Sequence, residues 1–455
     1  MTGDSQSMGI DTIPVRRFHW LVSSIGAMGV LIDGYDLSII SFSVLLISSE
    51  FHFTAKSNPL LYGLVLSSAL IGMAIGGVSF GWLADRLGRK TMFVIDLLFF
   101  IVFALLSSVA QNVYQVILFR LLMGIGIGAD YPISSTIISE FAPAKKRGLL
   151  LMYGIMFYWV GTFLAGTANY FSLPLGTDLS WRVALAAGGL IAIPVVILRN
   201  FVPESPRWLV LKKRYDRANK IVAEAKIGTP IRVEEYGNSL VPSHPKRELF
   251  TRYYRNTLFV LAAWFSFSLA AYGLGFYTST LYQILGVKSL SQIALFGMLT
   301  APFPIFAYFI LMRYVVDKHG RKTPTAIGFG VMTIILAILP SLITRNPYLL
   351  VPLFIIFSSL EQWPGGILSF GYSVELFPTS LRGLGQGLAT TVSRIGAIVG
   401  VLFFLLIASS AGLVYGSVFF LVFTLFALFV TIFLAPETKQ LTLEEITEKP
   451  PQAAT

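Results

Sequence analysis

The sequence predicts an all-α membrane protein of twelve transmembrane helices in two pseudo-symmetric six-helix bundles, and three observations carry that prediction. The 455 residues are 55% hydrophobic and only 13% charged, with mean hydropathy +0.74, whereas soluble domains carry about 25% charged residues. Apolar runs of at least about 18 residues, long enough to cross a bilayer, recur along the whole chain. Charged motifs also repeat at an offset near half the chain. Asp85, Arg89 and Lys90 return as Asp317, Arg321 and Lys322, and Glu140, Pro143, Arg147 and Gly148 as Glu375, Pro378, Arg382 and Gly383. Pro203-Glu204 returns as Pro436-Glu437. Two parallel six-span halves with a site between them form a transporter architecture.

Taken in order, the tail 1–17 is polar and lacks the basic-then-apolar order of a cleaved signal peptide, so the first span is expected to act as an uncleaved insertion signal. Spans near 18–48, 60–84, 91–109, 113–140, 147–171 and 181–201 make an N-terminal bundle over 18–201. The interval 202–254 contains PESPRWLVLKKRYDRANKIVAEAK, which reads as a short amphipathic helix at the membrane surface. Spans near 255–284, 291–313, 323–343, 348–375, 381–408 and 413–434 make a second bundle over 255–434, followed by a tail over 435–455. Arg16, Arg17, Arg86, Arg89, Lys90, Lys145, Lys146 and Arg147 lie in alternate connectors, as do Arg313, Lys318, Arg321, Lys322 and Arg382. The opposite connectors hold little beyond Lys56, Lys288 and Arg345. This bias predicts a multi-pass plasma-membrane protein with both termini and the 202–254 loop in the cytoplasm. It also accounts for the net charge of +11 without a nucleic-acid patch. The chain has no cysteine, which excludes disulfides and thiol chemistry.

The chemistry is expected where ionisable groups interrupt apolar runs, because such groups are costly there. The stretch RLLMGIGIGADYPISSTIISEFAPAKKRG (120–148) is the densest. Its Gly124, Gly126 and Gly128 allow close backbone approach, and Pro132 predicts a bend. Asp130 shares a face with Gly126 and Ser134, while Tyr131 and Ser135 form a second polar stripe. Asp33 and Asp36, three apart in the first span, are candidates for proton coupling; the alternative is an ion pair with an arginine such as Arg120. Asp130 has the same two readings. Arg394, about twelve residues into the eleventh span, offers a permanently charged fork suited to carboxylate or phosphate. Its partner is either substrate or Glu361 in the tenth span, and the two can alternate. Glu361 precedes Pro364-Gly365-Gly366, a predicted break. Asp96 either joins a proton path or sits near the interface. Trp264, Tyr272, Phe267, Tyr158 and Trp159 are candidates to line an apolar-aromatic cavity or to pack.

GWLADRLGRK (81–90), its echo RYVVDKHGRK (313–322), RLLMGIGIG (120–128), PESPRW (203–208) and PETK (436–439) resemble the motifs of the major facilitator superfamily, in order and over essentially the whole chain. GADYPISSTIISE (128–140) and RGLGQGLATTVSRIGAIVG (382–400) resemble the phosphate:proton symporter branch, and DGYDL (33–37) resembles both that branch and the aromatic-acid:proton symporters. Arg394 favours the organic-anion branches. Trp264 and Tyr272 match phosphate-branch positions, but Ser268, Trp159 and Gly366 stand where that branch has ligands. The resemblance implies that Asp130 handles protons and that Tyr131 neighbours substrate. It further implies that Asp85, Arg89, Asp317 and Arg321, with Arg120, Glu140, Arg147, Glu375 and Arg382, form the gates that close the cytoplasmic side.

The expected function is proton-coupled symport of a small organic anion, with Asp33, Asp36 and Asp130 coupling protons. Arg394, Tyr131, Glu361, Trp264, Tyr272, Ser268 and Trp159 are then the substrate site. A sugar or polyol symporter, an inorganic phosphate symporter and a transport-dead nutrient sensor are the alternatives. An enzyme is disfavoured by the lack of a nucleotide loop or metal-ligand cluster. The expected partners are a small solute, the proton and the lipid bilayer, with no nucleic acid and no cofactor beyond the coupling proton, and the chain is expected to be a monomer.

Overall fold

The computed structural model describes residues 13–228, 246–284, 286–343, 349–410 and 412–448. The N-terminal bundle consists of six uninterrupted helices: α1 (Arg17–Glu50), α2 (Pro59–Leu87), α3 (Arg89–Ser108), α4 (Val113–Phe141), α5 (Arg147–Ser172) and α6 (Thr177–Arg199). Their starts are set locally. Asn58 accepts from the Leu61 N–H at 3.1 Å and Asn112 from the Gln115 N–H at 3.0 Å, capping α2 and α4. Gly88, at φ +112°, ends α2 and starts α3, a turn that L side chains rarely adopt. Gly320 repeats it in the second half at φ +84°. α4 runs through Pro132 as one continuous helix.

The connector predicted to hold one amphipathic helix holds two, α7 (Pro206–Leu211) and α8 (Tyr215–Ala225), separated by Lys213 at positive φ. α7 is not laid out along a membrane surface: Pro206, Arg207, Trp208, Leu209 and Val210 are buried, and Arg207 Nε donates to the Glu140 carbonyl at 3.3 Å.

The second bundle is more broken. α9 (Tyr254–Phe276) and α10 (Thr278–Ile284) share the seventh span. α11 (Leu290–Thr300) and α12 (Pro302–Ile310) share the eighth, which ends in a π-helical turn (Leu311–Val315) and one further turn. α13 (Lys322–Ile343) follows. The tenth span is divided into α14 (Leu350–Leu360), α15 (Gln362–Gly366), a π-helical turn (Ile367–Tyr372) and a last turn at Ser373–Glu375. α16 (Arg382–Ser410) and α17 (Leu413–Leu434) complete the bundle, and α18 (Leu443–Glu448) closes the described chain. Eleven spans among the described residues are long and apolar enough to cross a membrane. The twelfth is the one predicted to break at Pro364-Gly365-Gly366.

Glycine sets the tightest contacts. A Cβ on Gly34 of α1 would strike the Tyr158 carbonyl of α5, and one on Gly161 of α5 would strike the Leu31 carbonyl. Gly124 and Gly128 press α4 onto the α2 backbone at Ala69 and Met73, and Gly126 presses it onto α3 at the Asp96 carbonyl. α4 is therefore wedged between α2 and α3, which carries Asp130 beside Asp96. The bundles meet through Gly81 of α2 and Gly383 of α16, where a Cβ on the former would lie 2.7 Å from the carbonyl of the latter. This contact lies at the end of the molecule where the basic connectors gather, here called the basic end.

Candidate functional site

A cavity of about 190 Å³ opens between the bundles, well above the ~10–15 Å³ that one water occupies. Tyr131, Tyr158 and Trp159 line it from the first bundle, and Trp264, Tyr272, Glu361 and Arg394 from the second. Six of the seven residues predicted to bind substrate thus share one space. Ser268 does not: its short side chain is fully buried behind the lining and its hydroxyl has no hydrogen-bond partner.

Arg394 is 1% exposed. Its guanidinium carbon lies 4.7 Å from the Tyr131 ring centroid and 5.0 Å from that of Tyr272. None of its three nitrogens has a hydrogen-bond partner. The alternative of an internal Arg394–Glu361 ion pair is not realised. Glu361 instead accepts from Gln362 Nε2 at 2.9 Å, and its Oε2 is unpartnered. Trp159 Nε1 is a further buried donor without a partner.

Beside this cavity, in the core of the first bundle, lies a charge cluster. Arg199, the last residue of α6, extends back into the bundle. Its Nη1 donates to Asp96 at 2.7 Å and its Nη2 to Asp130 at 2.5 Å, while its guanidinium carbon stands 4.0 Å from the Phe93 ring centroid. Ser134 Oγ donates to Asp130 at 2.8 Å, in agreement with their shared face. The pair is seated against Gly29 of α1, where any Cβ would collide with both Arg199 and Asp130. Asp33, one turn further along α1, lies within electrostatic reach of Arg394, Asp130, Arg199 and Asp96. Arg199 pairs with two buried carboxylates, and Asp33 Oδ2, Asp96 Oδ2 and Asp130 Oδ2 have no hydrogen-bond partner. The sequence reading missed Arg199. An arginine closing an apolar run looks like an ordinary boundary residue, and Gly29 was the only other trace of it.

Asp36 takes the ion-pair alternative. Both its oxygens accept from Arg120 at 3.0 Å. Arg120 does not pair with Asp130, and it lies two turns into α4 from the end opposite the basic one. It is therefore separate from the end gates to which it was assigned.

The remaining gate residues form a network at the basic end. Glu140 accepts from Arg382 of the other bundle at 3.1 Å and lies 3.6 Å from Arg89 of its own. Arg321 pairs with Glu375 at 2.9 Å, and Glu375 also accepts from Thr438 at 2.6 Å. Lys146 reaches across to Asp317 at 3.7 Å, and Arg147 Nη1 donates to the Leu441 carbonyl at 3.2 Å. The side chain of Asp85 lies outside what is described. Two glutamates missed as site residues complete the set. Glu204 accepts from the Arg89 N–H at 3.0 Å, and Glu437 from the Arg321 N–H at 3.0 Å. Each places a carboxylate at a helix N-terminus, where charge and free N–H groups favour it. Burial raises the Glu204 carboxyl above its ordinary range, opposed by the Ser205 N–H, the Arg89 charge and the Lys90 and Arg89 N–H groups. At the opposite end the bundles touch through hydroxyls, with Tyr62 and Thr280 2.8 Å apart and Ser41 donating to the Phe276 carbonyl at 3.0 Å.

The family model described as Sugar (and other) transporter matches residues 22–449. The chain is similar to the inner membrane metabolite transport protein YgcS of Escherichia coli (strain K12), at 28% identity with 95% of each chain covered. It is also similar to the niacin transporter NiaP of Acinetobacter baylyi, at 29% identity over 96% of this chain and 98% of that one. Its shape resembles the major facilitator superfamily proton:xylose symporter XylE bound to 6-bromo-6-deoxy-D-glucose, with TM-score 0.80 at 21% identity, covering 94% of this chain and 98% of that one.

Proposed function

Because the chain belongs to the Sugar (and other) transporter family of the major facilitator superfamily, we propose that it moves a small organic anion across the membrane together with protons, by alternating access. The observation that carries this reading is Arg394: a permanently charged, buried fork in the central cavity whose nitrogens have no hydrogen-bond partner. A buried charge calls for a counter-charge, and a carboxylate fits the fork. The aromatic walls suit an anion with a planar apolar body, and a niacin transporter stands among the relatives.

Proton coupling rests on the cluster beside the cavity. Two carboxylates share the Arg199 guanidinium and a third, Asp33, stands near them; unpaired carboxylates at membrane depth are costly, and binding protons relieves that cost. Asp33 lies within electrostatic reach of both Arg394 and the Asp130–Arg199–Asp96 group, so ligand charge at Arg394 and proton load on the cluster affect one another through it. Asp36 can take part by a different route, since protonating it would free Arg120. The positive-inside bias favours the basic end, where Glu140 joins the bundles, as the cytoplasmic one.

The second reading is a neutral sugar, favoured by the family description and by Asn169, Ser279 and Gln362 in the cavity wall. Uptake into proteoliposomes under an inward proton gradient separates the two, with benzoate, inorganic phosphate and xylose as test solutes. Benzoate is expected to accumulate, and Arg394→Ala to abolish its binding. Accumulation of xylose alone, with binding retained in Arg394→Ala, would make Arg394 structural and replace the organic anion with the sugar.

A further inference from the structure

The cavity has two poles, an unpartnered guanidinium and an unpartnered carboxyl oxygen, that do not meet. Arg394 on α16 and Glu361 at the junction of α14 and α15 both line it, at 1% and 7% exposure. They belong to the same bundle, yet form no ion pair. A buried polar group without a partner is costly, and each of these two has other neighbours. The rings of Tyr131 and Tyr272 bracket the guanidinium. Gln362 Nε2 occupies one oxygen of Glu361 and leaves Oε2 bare.

We propose that the transported ligand is dipolar: a small aromatic carboxylate whose carboxylate meets Arg394 and whose positively charged nitrogen meets Glu361. The inference rests on the reading of Arg394 as the carboxylate partner. A carboxylate alone would answer Arg394 and leave Glu361 Oε2 without a partner. A dipolar ligand answers both and adds no net charge to a low-dielectric site. Tyr158 lies within electrostatic reach of both poles. Aromatic faces such as Trp159, Trp264 and Tyr308 also attract a cationic ring, which a lone carboxylate would not exploit.

The test is equilibrium binding to the purified full chain, using N-methylnicotinate (carboxylate and fixed cation) and benzoate (carboxylate only). The wild type is expected to bind N-methylnicotinate at least tenfold more tightly than benzoate. Glu361→Gln should bring that ratio close to one by weakening N-methylnicotinate. A wild-type ratio of one or less, or an undiminished ratio in Glu361→Gln, overturns the proposal. If Glu361→Gln binds neither probe, Glu361→Asp decides: a retained tenfold preference supports the dipolar ligand and its loss refutes it. Arg394→Ala reads the parent assumption separately. If it binds benzoate as the wild type does, or if the wild type binds neither carboxylate, the organic-anion reading falls and the dipolar ligand falls with it.

Discussion

Arg199 can satisfy Asp96 and Asp130 together only because α1 carries glycine at position 29, so a single side chain and a missing one determine the charge balance of the first bundle. Replacing Asp130 with asparagine keeps the shape and removes one ionisable site. Asp130→Asn is therefore expected to bind ligand within about threefold of the wild type while losing accumulation driven by a pH gradient, measured as uptake with and without the gradient. Persistence of gradient-driven uptake would assign coupling elsewhere, with the Asp36–Arg120 pair next in line. Much of this site was legible because an ionisable residue in an apolar run is conspicuous, as with Asp33, Asp36, Asp130, Glu361 and Arg394. Arg199 was hidden because it sits at the end of its run, and the reach of a long side chain back into the core cannot be read from position alone. Ser268, placed at the site by its match to a family position, is buried and is not among the residues lining the cavity.

At the scale of helices the two bundles differ in construction. All six N-terminal spans are continuous, and backbone-to-backbone contacts at Gly34, Gly161, Gly124, Gly126 and Gly128 bind them closely. Such packing leaves no room for a methyl group. Gly34→Ala would press one onto the Tyr158 carbonyl and is expected to cost roughly 1–3 kcal/mol. A lower unfolding temperature in detergent, with less monodisperse protein on size exclusion, is the expected result; a wild-type melting curve would contradict the contact. Three of the C-terminal spans are interrupted, with π-helical turns at Leu311–Val315 and Ile367–Tyr372, and such turns often accompany function. The interrupted tenth span was legible because Pro364-Gly365-Gly366 announce it, although the interruptions fall on either side of those three, at Glu361 and at the π-helical turn. The interruption at Tyr277 was not, because no proline marks it and the Tyr277 hydroxyl bonds to the distant Val401 carbonyl. α2 and α3 grip α4 on both sides, and the helix continues through Pro132.

Across the whole molecule, the repeated motifs become equivalent corners of two bundles. Each has a glycine turn whose following helix is capped by a glutamate from the end of its own bundle, Glu204 in one case and Glu437 in the other. The bundles are then joined at the basic end through Glu140, which faces Arg89 on one side and Arg382 on the other. Glu140→Gln is expected to shift the population toward a form open at that end by about tenfold, or about 1.4 kcal/mol. The chain has no native cysteine, so spin labels at Lys145→Cys and Lys318→Cys, both exposed, report that separation directly. An unchanged distance distribution would place the closure in the α2–α16 glycine contact instead. The paired poles of the cavity bear on the energy source as well. A ligand that matches both Arg394 and Glu361 carries no net charge, so the electrical charge moved in each cycle equals the number of protons. Each such charge draws about 2.3 kcal/mol from every 100 mV of membrane voltage. A simple anion carried with one proton would move no charge and feel no voltage, so Glu361 decides whether the membrane potential drives uptake.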